Sequence, residues 1–209
     1  MGSYRLLNGY VYDEGKLERR DVMRISRDVT QDVITLDCEQ CYVLPGMIDI
    51  HTHGGMHVDF NHCTEEGLQR VNDFFARQGV TSWLASMVTD DEESMLQNAK
   101  VISAFSKAES NGCLGVHLEG PFLSEVYKGS MPTKYLKHFG FLQRFQEACD
   151  GAIKYITIAP EIAGALEGIK KIQALNIVVS IGHSAATYEE AMQAVANGAK
   201  VSTHTLNAM

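Results

Sequence analysis

Long apolar runs are missing from this chain of 209 residues: none approaches the ~20 residues that a membrane-spanning helix needs. Residues 1–10 also lack the charged-then-apolar order of a signal peptide, so the expectation is a cytoplasmic protein with no membrane partner. Clustered basic charge is missing too. With 18 Lys and Arg against 26 Asp and Glu, and no long basic run, the net charge of −8 excludes the footprint that nucleic-acid phosphates demand. A small phosphorylated molecule needs only a few local cations. Cysteine is sparse and odd in number: Cys38, Cys41, Cys63, Cys113 and Cys149 are scattered, which excludes a disulfide framework and fits a reducing compartment. Cys38 and Cys41 form a C-x-x-C, but without a second pair or a following helix it is a weak signal for zinc or redox chemistry. Fixed-period repeats and low-complexity tracts are absent.

What is present changes texture once along the chain. Residues 1–42 are polar and strand-like, with Tyr10-Val11-Tyr12 and residues 32–36 as short strands and Asn8-Gly9 and Glu14-Gly15 as hairpin turns, so a small antiparallel sheet is expected there. After Pro45-Gly46, apolar β-rich runs alternate with stretches of helical period, the pattern of successive β/α units, and residues 43–209 read as a second domain. The candidate strands are 43–50, 80–87, 114–118, 153–159, 177–181 and 200–203. Between them, Leu68, Val71 and Phe75 share a helical face that stops before Gly79. Asp90 with Glu93 starts a helix carrying Leu96, Ala99 and Ile102. Thr187 with Glu190 has capping-box spacing ahead of Ala191, Ala194 and Val195, with Gly198 as the stop. Six such units fit a doubly wound α/β sheet or an incomplete (β/α)8 barrel of the TIM type.

The polar residues favour the barrel, where chemistry gathers at the C-terminal strand ends. His51 and His53 follow the first of these strands, Glu119 the third, His183 the fifth and His204 the sixth. Residues two apart in extended chain point to one side, so His51 and His53 can face one ion, and a carboxylate with two more imidazoles completes a mixed site for Zn2+ or Fe2+. A lone H-x-H is usually incidental, and His57, His62 and His138 are histidines without evident role; the shared position at strand ends is what marks the five. His117 reads as a buried histidine bonded to backbone, outside the site.

These residues sit in segments that resemble a known family. Residues 45–54, Pro-Gly-Met-Ile-Asp-Ile-His-Thr-His-Gly, resemble the first-strand signature of the amidohydrolase superfamily. Residues 115–123 with Lys128-Gly129, the Gly182-His183-Ser184 block with Ala186-Thr187, and residues 203–209 resemble the H-L-E-G-P-F, G-H-S-x-A-T and T-H-L-F-N-A-M blocks of N-acetylglucosamine-6-phosphate deacetylases. The resemblance implies a (β/α)8 barrel with a small β-sandwich. It makes Glu119, His183 and His204 the principal metal ligands, lets His51 and His53 complete a second ion site, and puts Asn207 and Ala208 against the substrate. One or two divalent ions, a phosphorylated amino sugar and a homodimer follow from it. Ser130-Met131 stand where the family has a histidine, which replaces a substrate-contacting imidazole with a thioether that cannot donate. Lys128 is a candidate for the phosphate, although a solvated surface charge is its plainer reading. The family's acid/base, an Asp, is expected beyond Met209, as are the seventh and eighth strands. The implied reaction is deacetylation of N-acetylglucosamine 6-phosphate, with metal binding but no turnover expected from residues 1–209. Hydrolysis of a related substrate such as N-acetylgalactosamine 6-phosphate, and metal or sugar binding without catalysis, are the alternatives.

Overall fold

The computed structural model describes residues 3–24, 33–108, 111–136, 139–205 and 207–208. His138, Leu206 and Met209 lie outside them, and so does Asp32. Two compact units are present, residues 1–47 and 48–209.

The first unit is a four-stranded sheet built on β1 (Ser3–Asp13), with β2 (Lys16–Arg24), β3 (Val33–Asp37) and β4 (Tyr42–Val43). Glu14 and Gly15 both take positive φ, 44° and 82°, which is the backbone that a tight hairpin turn between right-twisted strands requires, and β1 and β2 pair antiparallel across it. Two expectations need correction. Asn8-Gly9 makes no hairpin: Asn8 has φ 61° and the register shifts between Leu6 and Gly9, so this pair is an irregularity within β1. The sheet is mixed, because β3 and β4 both run parallel to β1. Turn chemistry alone did not distinguish a bulge from a turn.

In the second unit, β5 (Met47–Thr52) is followed by a small ribbon of β6 (Gly54–Gly55) and β7 (Val58–Asp59). Then β/α units succeed one another: α1 (Glu65–Arg77), β8 (Val80–Val88), α2 (Glu92–Lys107), β9 (Cys113–Glu119), α3 (Gly140–Ala148), β10 (Ile153–Ile158), α4 (Ala165–Ala174), β11 (Val178–Ile181), α5 (Tyr188–Ala196) and β12 (Val201–Ser202). The strands form one curled six-stranded half-barrel in the order β12-β11-β10-β9-β8-β5, parallel in every pairing from β8 to β12. The α/β barrel architecture expected from the alternation is the one observed. The first strand starts later than expected, at Met47, because Val43 pairs in the small sheet and Pro45 has no N–H for a ladder.

The helices form for local reasons. Thr64 caps α1 by accepting from the Gly67 amide, and Leu68, Val71 and Phe75 are the buried face. Thr187 and Glu190 form the capping box of α5 as expected, but Val195 is half exposed and only Ala194 of that helix is buried. The cap of α2 is Asp91, accepting from Ser94 N, rather than Asp90. The core lies between helices and sheet, where Trp83, Phe60, Phe122 and Phe145 are among the fully buried side chains.

Candidate metal centre

His51 is the penultimate residue of β5 and His53 follows its end; Glu119 closes β9; His183 and His204 each lie two residues past β11 and β12. The curl of the sheet brings all five side chains to one point. Glu119 Oε1 lies 3.2 Å from Nε2 of His51, 3.2 Å from Nε2 of His183 and 3.1 Å from Nε2 of His204, and Oε2 lies 3.1 Å from Nε2 of His53. Nε2 of His51 and of His53 are 3.2 Å apart, and so are those of His183 and His204. Two groups that could hold a metal ion result, His51–His53–Glu119 and Glu119–His183–His204, sharing the carboxylate.

The far ring nitrogens decide what these contacts mean. Nδ1 of His53 is 3.1 Å from the Ser86 carbonyl oxygen, Nδ1 of His183 is 2.7 Å from that of Tyr127, and Nδ1 of His204 is 2.8 Å from that of Asn207. A carbonyl oxygen only accepts, so each Nδ1 carries its proton, and the neutral ring presents a bare lone pair at Nε2. Lone pairs therefore face one another and a carboxylate at just over 3 Å. Such an arrangement of acceptors is repulsive unless protons or a cation lie among them. The spacing suits a cation, since ligands at ~2.0–2.1 Å in a tetrahedral shell are roughly 3.3 Å apart. The donor set fits a borderline-soft divalent ion, and each of those three rings already has the carbonyl partner that fixes a metal-binding tautomer.

Without a cation the electrostatics are those of a buried carboxylate among imidazoles. Burial alone would push the Glu119 carboxyl up, but hydrogen bonds with His183, His51 and His53 outweigh it and hold it well below the usual carboxylate range. The same hydrogen bond to Glu119, opposed by burial, raises the pKa of His183 and of His53.

The backbone around the ligands is tightly specified. His183 and His204 have φ of 50° and 29°, a region that costs a residue with a Cβ ~1–2 kcal/mol, so contacts must hold both in place. Gly120, at φ 97°, has no freedom to carry a side chain: a Cβ would collide with Thr89 Oγ1, whose hydroxyl donates to the Glu119 carbonyl at 3.1 Å.

Beneath the ligands runs a buried polar belt. Thr52 N donates to Ser86 Oγ at 3.0 Å, Ser86 Oγ is 2.8 Å from His117 Nδ1, His117 Nε2 is 2.9 Å from Thr157 Oγ1, and Thr203 Oγ1 is 2.8 Å from Thr157 and 2.6 Å from Ser180. His117 is thus bonded to hydroxyls rather than to backbone, which corrects the expectation, and its ring edge packs on His51 with centroids 4.7 Å apart. Burial, and then the neighbouring His51, hold its pKa well below the usual imidazole value. Single hydroxyls within apolar strands, such as Ser86 in Trp83-Leu84-Ala85-Ser86-Met87, are a signal that reading the sequence for ligands overlooked. The carbonyl of Tyr127 left no signal at all, because any residue could supply it.

A cleft of about 740 Å³ opens over the five residues, and its lining adds Val88, Lys128, Ser130 and Met131. Ser130 is exposed and Met131 buried. Asn207 and Ala208 are outside that lining; their carbonyls accept from His204 Nδ1 at 2.8 Å and from the Ser184 amide at 3.2 Å. Neither His57 nor His62 belongs to either ligand group.

Residues 42–209 match the amidohydrolase family. The chain belongs to that family. This amidohydrolase chain is 37% identical over 182 residues to the N-acetylglucosamine-6-phosphate deacetylase of Bos taurus, covering 83% of the chain and 44% of the relative. Its fold superposes on the crystal structure of the enzyme of that name from Pasteurella multocida with a TM-score of 0.86 at 28% identity, over 99% of this chain and 57% of that one. A mutant of the Mycobacterium smegmatis enzyme in complex with N-acetyl-D-glucosamine-6-phosphate gives a TM-score of 0.85 at 28% identity, over 100% and 57%. The chain spans about half the length of the curated relatives it matches.

Proposed function

We propose that this amidohydrolase takes part in the deacetylation of N-acetylglucosamine 6-phosphate to glucosamine 6-phosphate and acetate, with residues 1–209 supplying the cation site and one wall of the substrate cleft. The observation that carries the reading is the convergence of four Nε2 atoms on both oxygens of one buried carboxylate. Glu119, His183 and His204 would hold one Zn2+ or Fe2+, and His51 and His53, sharing Glu119, would hold a second. Such an ion, when bound, supplies the Lewis acidity that polarises an acetamide carbonyl and acidifies water. Glu119 neutralises charge, and the Ser86, Tyr127 and Asn207 carbonyls orient rings. Ser130, Met131 and Lys128 line the cleft where the sugar phosphate would lie, with Asn207 and Ala208 beside it through the loop they share with His204. Proton transfer to the leaving amine belongs to an Asp expected at a later strand end.

Residues 1–42 are assigned to a small β domain and 43–209 to the hydrolase barrel. A homodimer in the cytoplasm accompanies the reading; no helix among the described residues is long and apolar enough to cross a membrane. Met131, buried in the cleft wall where the family resemblance expects an imidazole, favours as a second reading a related sugar such as N-acetylgalactosamine 6-phosphate.

The test is metal analysis together with acetate release. Residues 1–209 are expected to bind one or two equivalents of ion and to release no acetate catalytically from either sugar phosphate. Repeated turnovers would overturn the assignment of the proton donor, and failure to bind Zn2+, Fe2+ or Co2+ would overturn the site.

A further inference from the structure

Glu161 lies three residues past the end of β10 and outside both ligand groups. Its two carboxylate oxygens are nevertheless committed to the loop that carries His183. Ser184 Oγ donates to Oε2 at 2.7 Å, and the Ala185 amide donates to Oε1 at 2.7 Å. Ser184 Oγ in turn accepts from the Ala186 amide at 3.0 Å, and the Ser184 amide donates to the Ala208 carbonyl at 3.2 Å. From there the link reaches the other ligand loop, since the neighbouring Asn207 receives His204 Nδ1 on its carbonyl and donates its amide to the His204 carbonyl at 2.9 Å. His183, His204 and Ala208 all have positive φ, and none is glycine.

We infer that Glu161 is a positioning residue for the Glu119–His183–His204 ion site: by clamping the turn at Ser184 and Ala185 it holds both imidazoles in a backbone conformation they would otherwise leave. The donors are unambiguous, because an ionised carboxylate only accepts, and short charge-assisted bonds to it are the strong kind. Nothing comparable links Glu161 to His51 or His53 among the described contacts, so the effect belongs to one half of the centre. The inference rests on the cation reading and names a device within it.

Ion affinity, read separately for each half, tests it. In an H53A background only the Glu119–His183–His204 group is intact, and in an H183A background only His51–His53–Glu119 is. Zn2+ affinity, by competition with a chromophoric chelator, is expected to fall about 10–100-fold when E161A is added to H53A. It should be unchanged when E161A is added to H183A. E161Q, which keeps one accepting oxygen, should lose less than E161A, and the visible spectrum of the Co2+ form of H53A should change with E161A. S184A removes one of the two clamp bonds while leaving Glu161 in place, and it should reproduce the selective loss if the alanine at 161 impairs folding. Equal losses in both backgrounds, or none in either, overturn the positioning role. If the unaltered chain binds no ion, the cation reading itself fails and this inference with it; binding that E161A leaves untouched sinks the clamp alone.

Discussion

Glu119 carries the site because its oxygens serve both halves at once, three imidazoles on Oε1 and one on Oε2. Glu119→Gln preserves the shape but removes the charge and turns one oxygen into a donor aimed at lone pairs. Ion content should therefore drop to zero equivalents after gel filtration, with affinity weakened by at least about 100-fold, whereas His53→Ala should remove one group and leave the other able to bind. Retention of an ion by the glutamine variant at unchanged affinity would refute the shared-carboxylate arrangement. All five candidate ligands were legible in the sequence, because each is a side chain with its own chemistry and each stands at the end of an apolar run. The carbonyls of Ser86, Tyr127 and Asn207 were not, since backbone groups are identical at every position and only the fold selects them. Ser130 and Met131 were placed in the cleft by a resemblance, and both line it, Met131 as a buried side chain.

Between elements, the most exacting contact is Asn72 on α1. Its Oδ1 accepts from Trp83 Nε1 at 3.3 Å and from the Gly112 amide at 2.8 Å, joining the helix to β8 and to the approach of β9. Trp83 is fully buried, stacked on Phe60 with centroids 5.4 Å apart and set edge-on to Phe75 at 5.6 Å. Asn72→Ala leaves the buried Trp83 donor and the half-buried Gly112 amide unpaired, and with a buried donor worth ~1–3 kcal/mol a loss of about 1–3 kcal/mol is expected. Urea unfolding followed by the fluorescence of Trp83, the one tryptophan of the chain, measures it directly. A loss under about 0.5 kcal/mol would mean that water reaches those donors. The 3.6-residue period on α1 and the capping box on α5 made those helices readable, because local sequence sets them. The Asn72 bridge was not readable, because it joins residues 40 positions apart, and neither was the shift of the α2 cap from Asp90 to Asp91, two adjacent carboxylates of equal capping ability.

Across the whole molecule, burial divides the five cysteines into two classes. Burial pushes the thiols of Cys63 and Cys149 up to about 11 and that of Cys113 up to about 12, while Cys41 is exposed and Cys38 partly so. A thiolate is the reactive form, so a disulfide reagent at pH 8 should titrate two thiols in the native protein and five after unfolding. The sign for stability follows. Above pH 9 the unfolded chain releases protons that the folded chain keeps, so the contribution of these thiols is full below pH 9 and is lost as the pH rises towards 12. The urea midpoint should fall over that interval, and a flat profile would show that the thiols are solvated.

The largest consequence of the fold is that the ligands come from opposite margins of one sheet. His51 lies in β5 and His53 follows it at one edge and His204 follows β12 at the other, yet the rings of His51 and His204 are 5.8 Å apart, because the sheet curls until these strand ends meet at Glu119. A cation held there would tie the two edges together, and it would bind only the curled state, since the flattened or unfolded chain presents no such group. Linkage then makes the ion a folding ligand: at a free concentration 100-fold above its Kd it stabilises by ~2.7 kcal/mol. For a domain of this size that corresponds to a change in Tm of about 5–10 °C. Adding EDTA to the metal-loaded chain should lower Tm by that amount, restoring Zn2+ should recover it, and Glu119→Gln should melt at the chelated temperature whether or not Zn2+ is present. Equal melting temperatures for loaded and chelated protein would mean that the curl is held by strand pairing and core packing alone, with the ion a passenger.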